Sequence, residues 1–288
     1  MMHCTSHYVE CLGRQLHFTE WGHGHAQTVI AWHGLARTGR DFDELAARLS
    51  EHFRVICPDT LGRGLSEWST EPQDEYHLAF YVQQAVALMD TVGVARAHWV
   101  GTSMGGAIAI HGLGHGPQWL KNRISRLVLN DMAPELADAA VERIKAYAGH
   151  PPQFARITEL EGFLRQVYAP FGPLTDAQWQ RMAETSWRRL ENGAITTHYD
   201  PAMVGQFIHH SNDYDQWDAW ETIDIPVLCL HGQLSDLILP TTITQMRHSG
   251  PGRLGLLEVI EVDGVGHAPA LNTDQQIGWI HRFLKDQS

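Results

Sequence analysis

Cysteine is scarce in this chain. Cys4, Cys11, Cys57 and Cys229 are scattered through 288 residues with no metal-ligand spacing, and no His-Glu-x-x-His pair stands on one helical face despite 19 histidines. Neither a metal site nor a cofactor site is expected. Cys57 and Cys229 lie in apolar, strand-like runs and read as buried free thiols. Long hydrophobic runs are also missing: no stretch approaches the ~20 apolar residues that a membrane helix needs. The start, Met1-Met2-His3-Cys4-Thr5-Ser6-His7, shows no basic segment followed by an apolar core, so no signal peptide is expected and the default is a cytoplasmic protein. Positive charge is in deficit, with 21 Lys and Arg against 33 Asp and Glu, a net charge of -12. That balance argues against nucleic acid or an anionic membrane as partner. Internal repeats and low-complexity tracts are absent, and the oligomeric state is left open.

What is present suits a large α/β domain. Hydrophobic residues make up 43% of the chain, enough for a sizeable core. Tyr8 to Leu12 and Gln15 to Glu20 flank Gly13-Arg14 as a hairpin. Apolar strands follow at Thr28 to Trp32, Phe53 to Pro58, His98 to Gly101 and Ile124 to Asn130. Between them stand a helix across Phe42 to Leu49 and a long amphipathic helix from Tyr76 to Val92, closed by Gly93. Strands alternating with helices imply a mostly parallel sheet covered on both faces. From about Met132 to Thr222 the pattern changes to helices broken at Pro134, Pro151-Pro152, Pro170 to Pro173 and Pro201, with no good strand. Alternation resumes with strands at Val227 to Leu230 and Leu256 to Val262 and a closing helix over Asp274 to Leu284. The expected organisation is therefore a core over residues 1–131 and 223–288, with a helical cap inserted over 132–222.

The chemistry centres on Gly101-Thr102-Ser103-Met104-Gly105-Gly106-Ala107. An apolar run enters, a Gly-x-Ser-x-Gly core turns, and a small-residue helix leaves, the pattern of a nucleophile elbow. The apex is strained, so positions two residues away must lack a bulky Cβ. A serine hydroxyl needs a base, and the base needs an orienting acid. His267, in Gly264-Val265-Gly266-His267 after the last strand, is the expected base. Asp236, in Ser235-Asp236 after the strand at Val227 to Leu230, is the expected acid. Asp131, directly after the strand at Ile124 to Asn130, is the alternative position for it. The oxyanion donors are expected at the backbone N–H groups of Met104 and of Leu35, the latter in His33-Gly34-Leu35 after an earlier strand.

In these features, taken in order, the chain resembles the α/β-hydrolase superfamily over nearly its full length. His33-Gly34, Gly101 to Gly106, Ser235-Asp236 and Gly264 to His267 carry the likeness, and Gly62-Arg63-Gly64-Leu65-Ser66 resembles the family's Gly-x-Gly-x-Ser turn. Within the superfamily it is similar to capped bacterial esterases, lactonases and carbon–carbon bond hydrolases. The resemblance implies an eight-stranded sheet, a helical cap over the site, and a loop-shaping rather than chemical role for His33. Ser103 at the elbow disfavours a dehalogenase or epoxide hydrolase, which would carry Asp there. Ala268-Pro269 after His267 weakens the carbon–carbon reading, whose members often carry Trp at that position.

The expected function is hydrolysis of a small or medium carboxylic ester through an acyl-enzyme on Ser103, short hydroxyacyl esters or oligomers being conceivable. A lactonase or carbon–carbon hydrolase with the same residues is the alternative, and a non-catalytic small-molecule receptor is a further one. Arg37, His198 and Tyr199 are candidate substrate contacts. Arg63 reads as a turn residue, and the tryptophans Trp179, Trp187, Trp217 and Trp220 as core.

Overall fold

The computed structural model describes residues 4–115 and 120–286. Eleven strands are present among them: β1 (Cys4–Cys11), β2 (Arg14–Trp21), β3 (Thr28–Trp32), β4 (Arg54–Pro58), β5 (Ala97–Thr102), β6 (Ile124–Asn130), β7 (Gln153–Phe154), β8 (Trp187–Arg189), β9 (Ile195–Thr197), β10 (Val227–Gly232) and β11 (Leu257–Val262). Eight of them form one sheet in the order β1-β2-β4-β3-β5-β6-β10-β11. The hairpin β1–β2 and the β2–β4 pair are antiparallel, and every other pair in that sheet is parallel. The Leu12-Gly13 turn has both residues at positive φ, 56° and 73°, the geometry whose twist matches a two-residue hairpin.

The parallel strands read as unbroken apolar runs because helices cover both faces. One buried cluster joins Trp32, Trp99, Leu127 and Cys229 to the helices Leu78–Thr91 and Met104–Gly114. The opposite cluster joins Val29, Val100, Val128 and Leu228 to the helices Asp43–Leu49 and Asp274–Lys285. Alternate residues of one strand thus serve two cores, as the two-residue period of a strand requires.

Between Asn130 and Val227 the chain leaves the large sheet. It forms the helices Asp138–Ala148, Ile157–Val167 and Asp176–Glu184 with shorter turns. It also forms a small antiparallel sheet in the order β7-β9-β8, which corrects the expectation that this segment holds no strand. The reason is length. Strands of two and three residues are too short to show alternation in a sequence. They are anchored instead by tertiary packing, with Ile195 in a cluster with Leu160, Leu164 and Ala183. Two of the segment's tryptophans, Trp179 and Trp220, are buried.

Candidate active site

The strand-to-helix turn after β5 holds Ser103 at φ 51°, ψ -119°, a conformation that costs an L-residue on the order of 1–3 kcal/mol. Close packing enforces it. A Cβ on Gly101 would lie 2.4 Å from the Gly105 carbonyl, and one on Gly105 would lie 2.0 Å from Trp32 O. Those two glycines let the helix Met104–Gly114 lie directly against β3 and β5, so its N-terminus sits beneath the Ser103 side chain. The first intrahelical donor to Ser103 O is Gly106 N–H at 2.8 Å, and the Met104 N–H belongs to the open first turn.

His267 follows β11 and crosses to the elbow. Ser103 Oγ lies 2.9 Å from His267 Nε2, and His267 Nδ1 lies 2.7 Å from Asp131 Oδ2. The tautomer follows from chemistry: a carboxylate only accepts, so Nδ1 carries the proton and donates to Asp131. Nε2 of the neutral ring is then left to accept the serine proton. Asp131 is fully buried and receives two further hydrogen bonds, from Gly232 N–H at 2.8 Å and from the Ser235 hydroxyl at 2.6 Å. Three donors on one carboxylate offset its loss of water. Asn130 steadies the same region by donating to Thr102 Oγ1 at 3.0 Å and to Pro269 O at 2.9 Å.

The sequence-favoured acid, Asp236, does not reach the histidine. Its side chain is half exposed and pairs with the guanidinium of Arg143. The loop after β10 turns so that Ser235 points inward to Asp131 while its neighbour points out. Asp131, the alternative position, is the group that His267 meets.

His33 is fully buried. The Thr60 N–H donates to its Nε2 at 2.9 Å, which puts the ring proton on Nδ1, and that N–H donates to Gly34 O at 2.6 Å. Burial holds its pKa down to about 4, against a smaller opposing effect of Asp59, so the ring stays neutral. This contact fixes the carbonyl that precedes Leu35 N–H. Arg63 supports the loop from below. It is wholly buried, donates to Leu35 O at 2.9 Å, Leu61 O at 2.8 Å and Tyr81 Oη at 2.8 Å, and lies 3.6 Å from Met104 Sδ. The turn residue of the sequence reading is thus a brace between the two segments that carry the expected oxyanion donors.

A cleft of about 520 Å³ opens above Ser103 and His267. Its floor is Gly34 to Arg37, Thr102 and Ala268; its walls come from the inserted segment, chiefly Ile144, Val167, Tyr168 and Phe171. A smaller neighbouring cavity of about 60 Å³ is lined by neither Ser103 nor His267. Arg37 does line the cleft, but it is only 5% exposed, donates to Asp41 at 2.8 and 2.6 Å, and has Tyr168 over its face at 4.7 Å. Burial opposes its charge, and the Asp41 carboxylate outweighs that, holding its pKa above the usual arginine range. His198 and Tyr199 do not line the cleft. Tyr199 bridges Arg63 as a short antiparallel contact, and His198 O accepts from Gly64 N–H at 2.8 Å. Their backbones tie the inserted segment to the Gly62–Ser66 turn, which keeps their side chains from the cleft. None of the tryptophans lines it either; its aromatic groups are Tyr168 and Phe171, packed 4.8 Å apart. No pattern in the sequence marks those two, or Arg143, as cleft residues.

Among the described residues, one group could hold a metal ion. His77, His210 and Asp213 each offer a ligand atom within 4.8 Å of the others, where the helix Leu78–Thr91 meets the inserted segment. None of them lines the cleft.

Comparison with known proteins agrees with this fold. A family model described as the alpha/beta hydrolase fold matches residues 27–272. The chain is 34% identical to a 3-hydroxybutyrate-oligomer hydrolase of Cupriavidus necator, with 96% of each chain covered. It is 27% identical to a pimeloyl-[acyl-carrier protein] methyl ester esterase of Xanthomonas campestris pv. campestris, covering 91% of this chain and 96% of that one. An alpha/beta hydrolase from Novosphingobium aromaticivorans has a solved structure that superposes with a TM-score of 0.83 at 30% identity, over 99% of both chains.

Proposed function

The chain belongs to the alpha/beta-hydrolase family and is a hydrolase; from that premise we propose that it cleaves short linear esters of hydroxy acids, 3-hydroxybutyrate oligomers first among them, through an acyl-enzyme on Ser103. The observation that carries the chemistry is the hydrogen-bonded chain Ser103–His267–Asp131 beneath an apolar cleft. The oligomer-hydrolase relative, similar over almost its whole length, supports the substrate class.

Each group has a task in this reading. Ser103 Oγ attacks the ester carbonyl carbon as its proton passes to His267 Nε2, and Asp131 stabilises the imidazolium. The Met104 and Leu35 N–H groups receive the oxyanion, a donor of this kind lowering the barrier by about 3 kcal/mol. Collapse of the tetrahedral intermediate breaks the C–O bond, and His267 protonates the departing alcohol. Water, deprotonated by His267, then attacks the acyl-serine, and the acid leaves with Ser103 restored. Residues 132–222 act as a cap whose Tyr168 and Phe171 side chains exclude bulk water from that sequence of steps. The place of action is the cytoplasm.

The test is hydrolysis of the 3-hydroxybutyrate dimer and trimer, read as monomer released, beside a p-nitrophenyl ester series and Ser103→Ala. Monomer formation that vanishes in the variant is the expected result. Turnover of p-nitrophenyl esters with none of the oligomers would overturn the substrate class. A fully active Ser103→Ala protein would overturn the mechanism.

A further inference from the structure

Arg143 and Asp236, paired at the cleft wall, have a position that suggests their use. We propose that Arg143 is the anchor for the terminal carboxylate of a linear hydroxy-acid ester, with Asp236 as its resting counter-ion; this rests on the substrate class proposed above.

Two arginines line the cleft, and they differ in availability. Arg37 is 5% exposed, with Nε and Nη2 both donating to Asp41 and its face covered by Tyr168. Its Nε–Nη2 edge is taken by Asp41 and its side chain is almost wholly buried. Arg143, on the helix Asp138–Ala148 of the inserted segment, is half exposed and pairs across the cleft wall with Asp236, itself half exposed. An ion pair exposed to this degree is weak, so exchanging one carboxylate for another costs little. The guanidinium fork accepts a carboxylate through two parallel N–H···O bonds, the geometry it already uses toward Asp236.

The substrate chemistry fits that exchange. A hydroxy-acid oligomer carries one carboxylate, at the end of the chain whose hydroxyl is esterified, and is otherwise neutral. The apolar walls from Ile144 and Val167 suit the carbon chain, while Arg143 takes the charged end. A chain lacking that charge gains nothing from Arg143 and leaves Asp236 in place.

The experiment compares kcat/KM for the 3-hydroxybutyrate dimer as free acid and as its methyl ester, at low ionic strength, in the parent protein, Arg143→Gln and Asp236→Asn. The expected result is a free-acid-to-methyl-ester ratio that falls about tenfold in Arg143→Gln, through KM, and rises about threefold in Asp236→Asn. In the parent protein the ratio should shrink as NaCl is raised to 0.5 M. An unchanged ratio in both variants, with both dimer forms still cleaved by the parent, overturns the role of Arg143 alone. A parent protein that hydrolyses p-nitrophenyl butyrate but neither dimer form overturns the substrate class and this inference with it.

Discussion

The hydroxyl of Ser235 donates to Asp131 Oδ2 at 2.6 Å, the same oxygen that His267 Nδ1 reaches at 2.7 Å. The loop expected to supply the acid therefore supplies a donor that orients it. The strand β6, two places along the sheet from β3, supplies the carboxylate. With Gly232 N–H on the other oxygen, the carboxylate is fixed at both ends before any substrate arrives.

The two candidate acids separate by substitution. Asp131→Asn should lower kcat for a p-nitrophenyl ester by about 10³–10⁴-fold, because the amide cannot hold the Nδ1–H tautomer. Asp236→Asn should retain rapid covalent labelling of Ser103 by a fluorophosphonate, whereas Asp131→Asn should lose most of it. Labelling rates read by mass spectrometry decide between them, and equal loss in both variants would contradict the geometry.

Arg63→Met removes a brace rather than a reacting group. It leaves the Leu35 and Leu61 carbonyls without their buried donor and should cost about 1–3 kcal/mol for each unpaired group. Urea unfolding measures that loss. If Arg63 positions the oxyanion loop, kcat should also fall at temperatures where the variant is still fully folded, with KM changed much less. A variant of lower stability and parental kcat would restrict Arg63 to a role in folding.

Acid should weaken the fold through His33. Its folded pKa of about 4 lies below the ordinary value of 6.5, so the unfolded chain takes up a proton that the native state refuses. The stabilisation is complete above pH 6.5 and is lost as pH falls toward 4, at up to about 1.4 kcal/mol per pH unit. Urea midpoints at pH 7.5 and 5 should therefore differ more in the parent than in His33→Asn. Equal differences would show that the burial of this ring does not govern the acid limb.

Much of this architecture was legible because local patterns report local causes. The short, largely apolar runs at Thr28–Trp32 and Ile124–Asn130, set between helical patterns, read as strands covered on both faces. The glycines at 101 and 105 mark contacts under 2.5 Å that no side chain tolerates. Ser103 and His267 were marked in the same way, by turns whose small residues let a strand end in a tight loop. Between Met132 and Thr222 the signal failed, because β7, β8 and β9 are too short to display a period and exist only against their neighbours.

The sequence by itself determined the alternation of strand and helix, the elbow and the order of its chemical groups, since these follow from periodicity and from glycine's lack of a Cβ. Only the tertiary structure decided which carboxylate meets His267 and which side chains line the cleft. Asp131 and Asp236 each follow a parallel strand of one sheet, β6 and β10, which lie side by side. Nothing local distinguishes them. The choice arises from the turn that sends Ser235 inward and Asp236 out to Arg143, a contact between residues 93 positions apart in the chain.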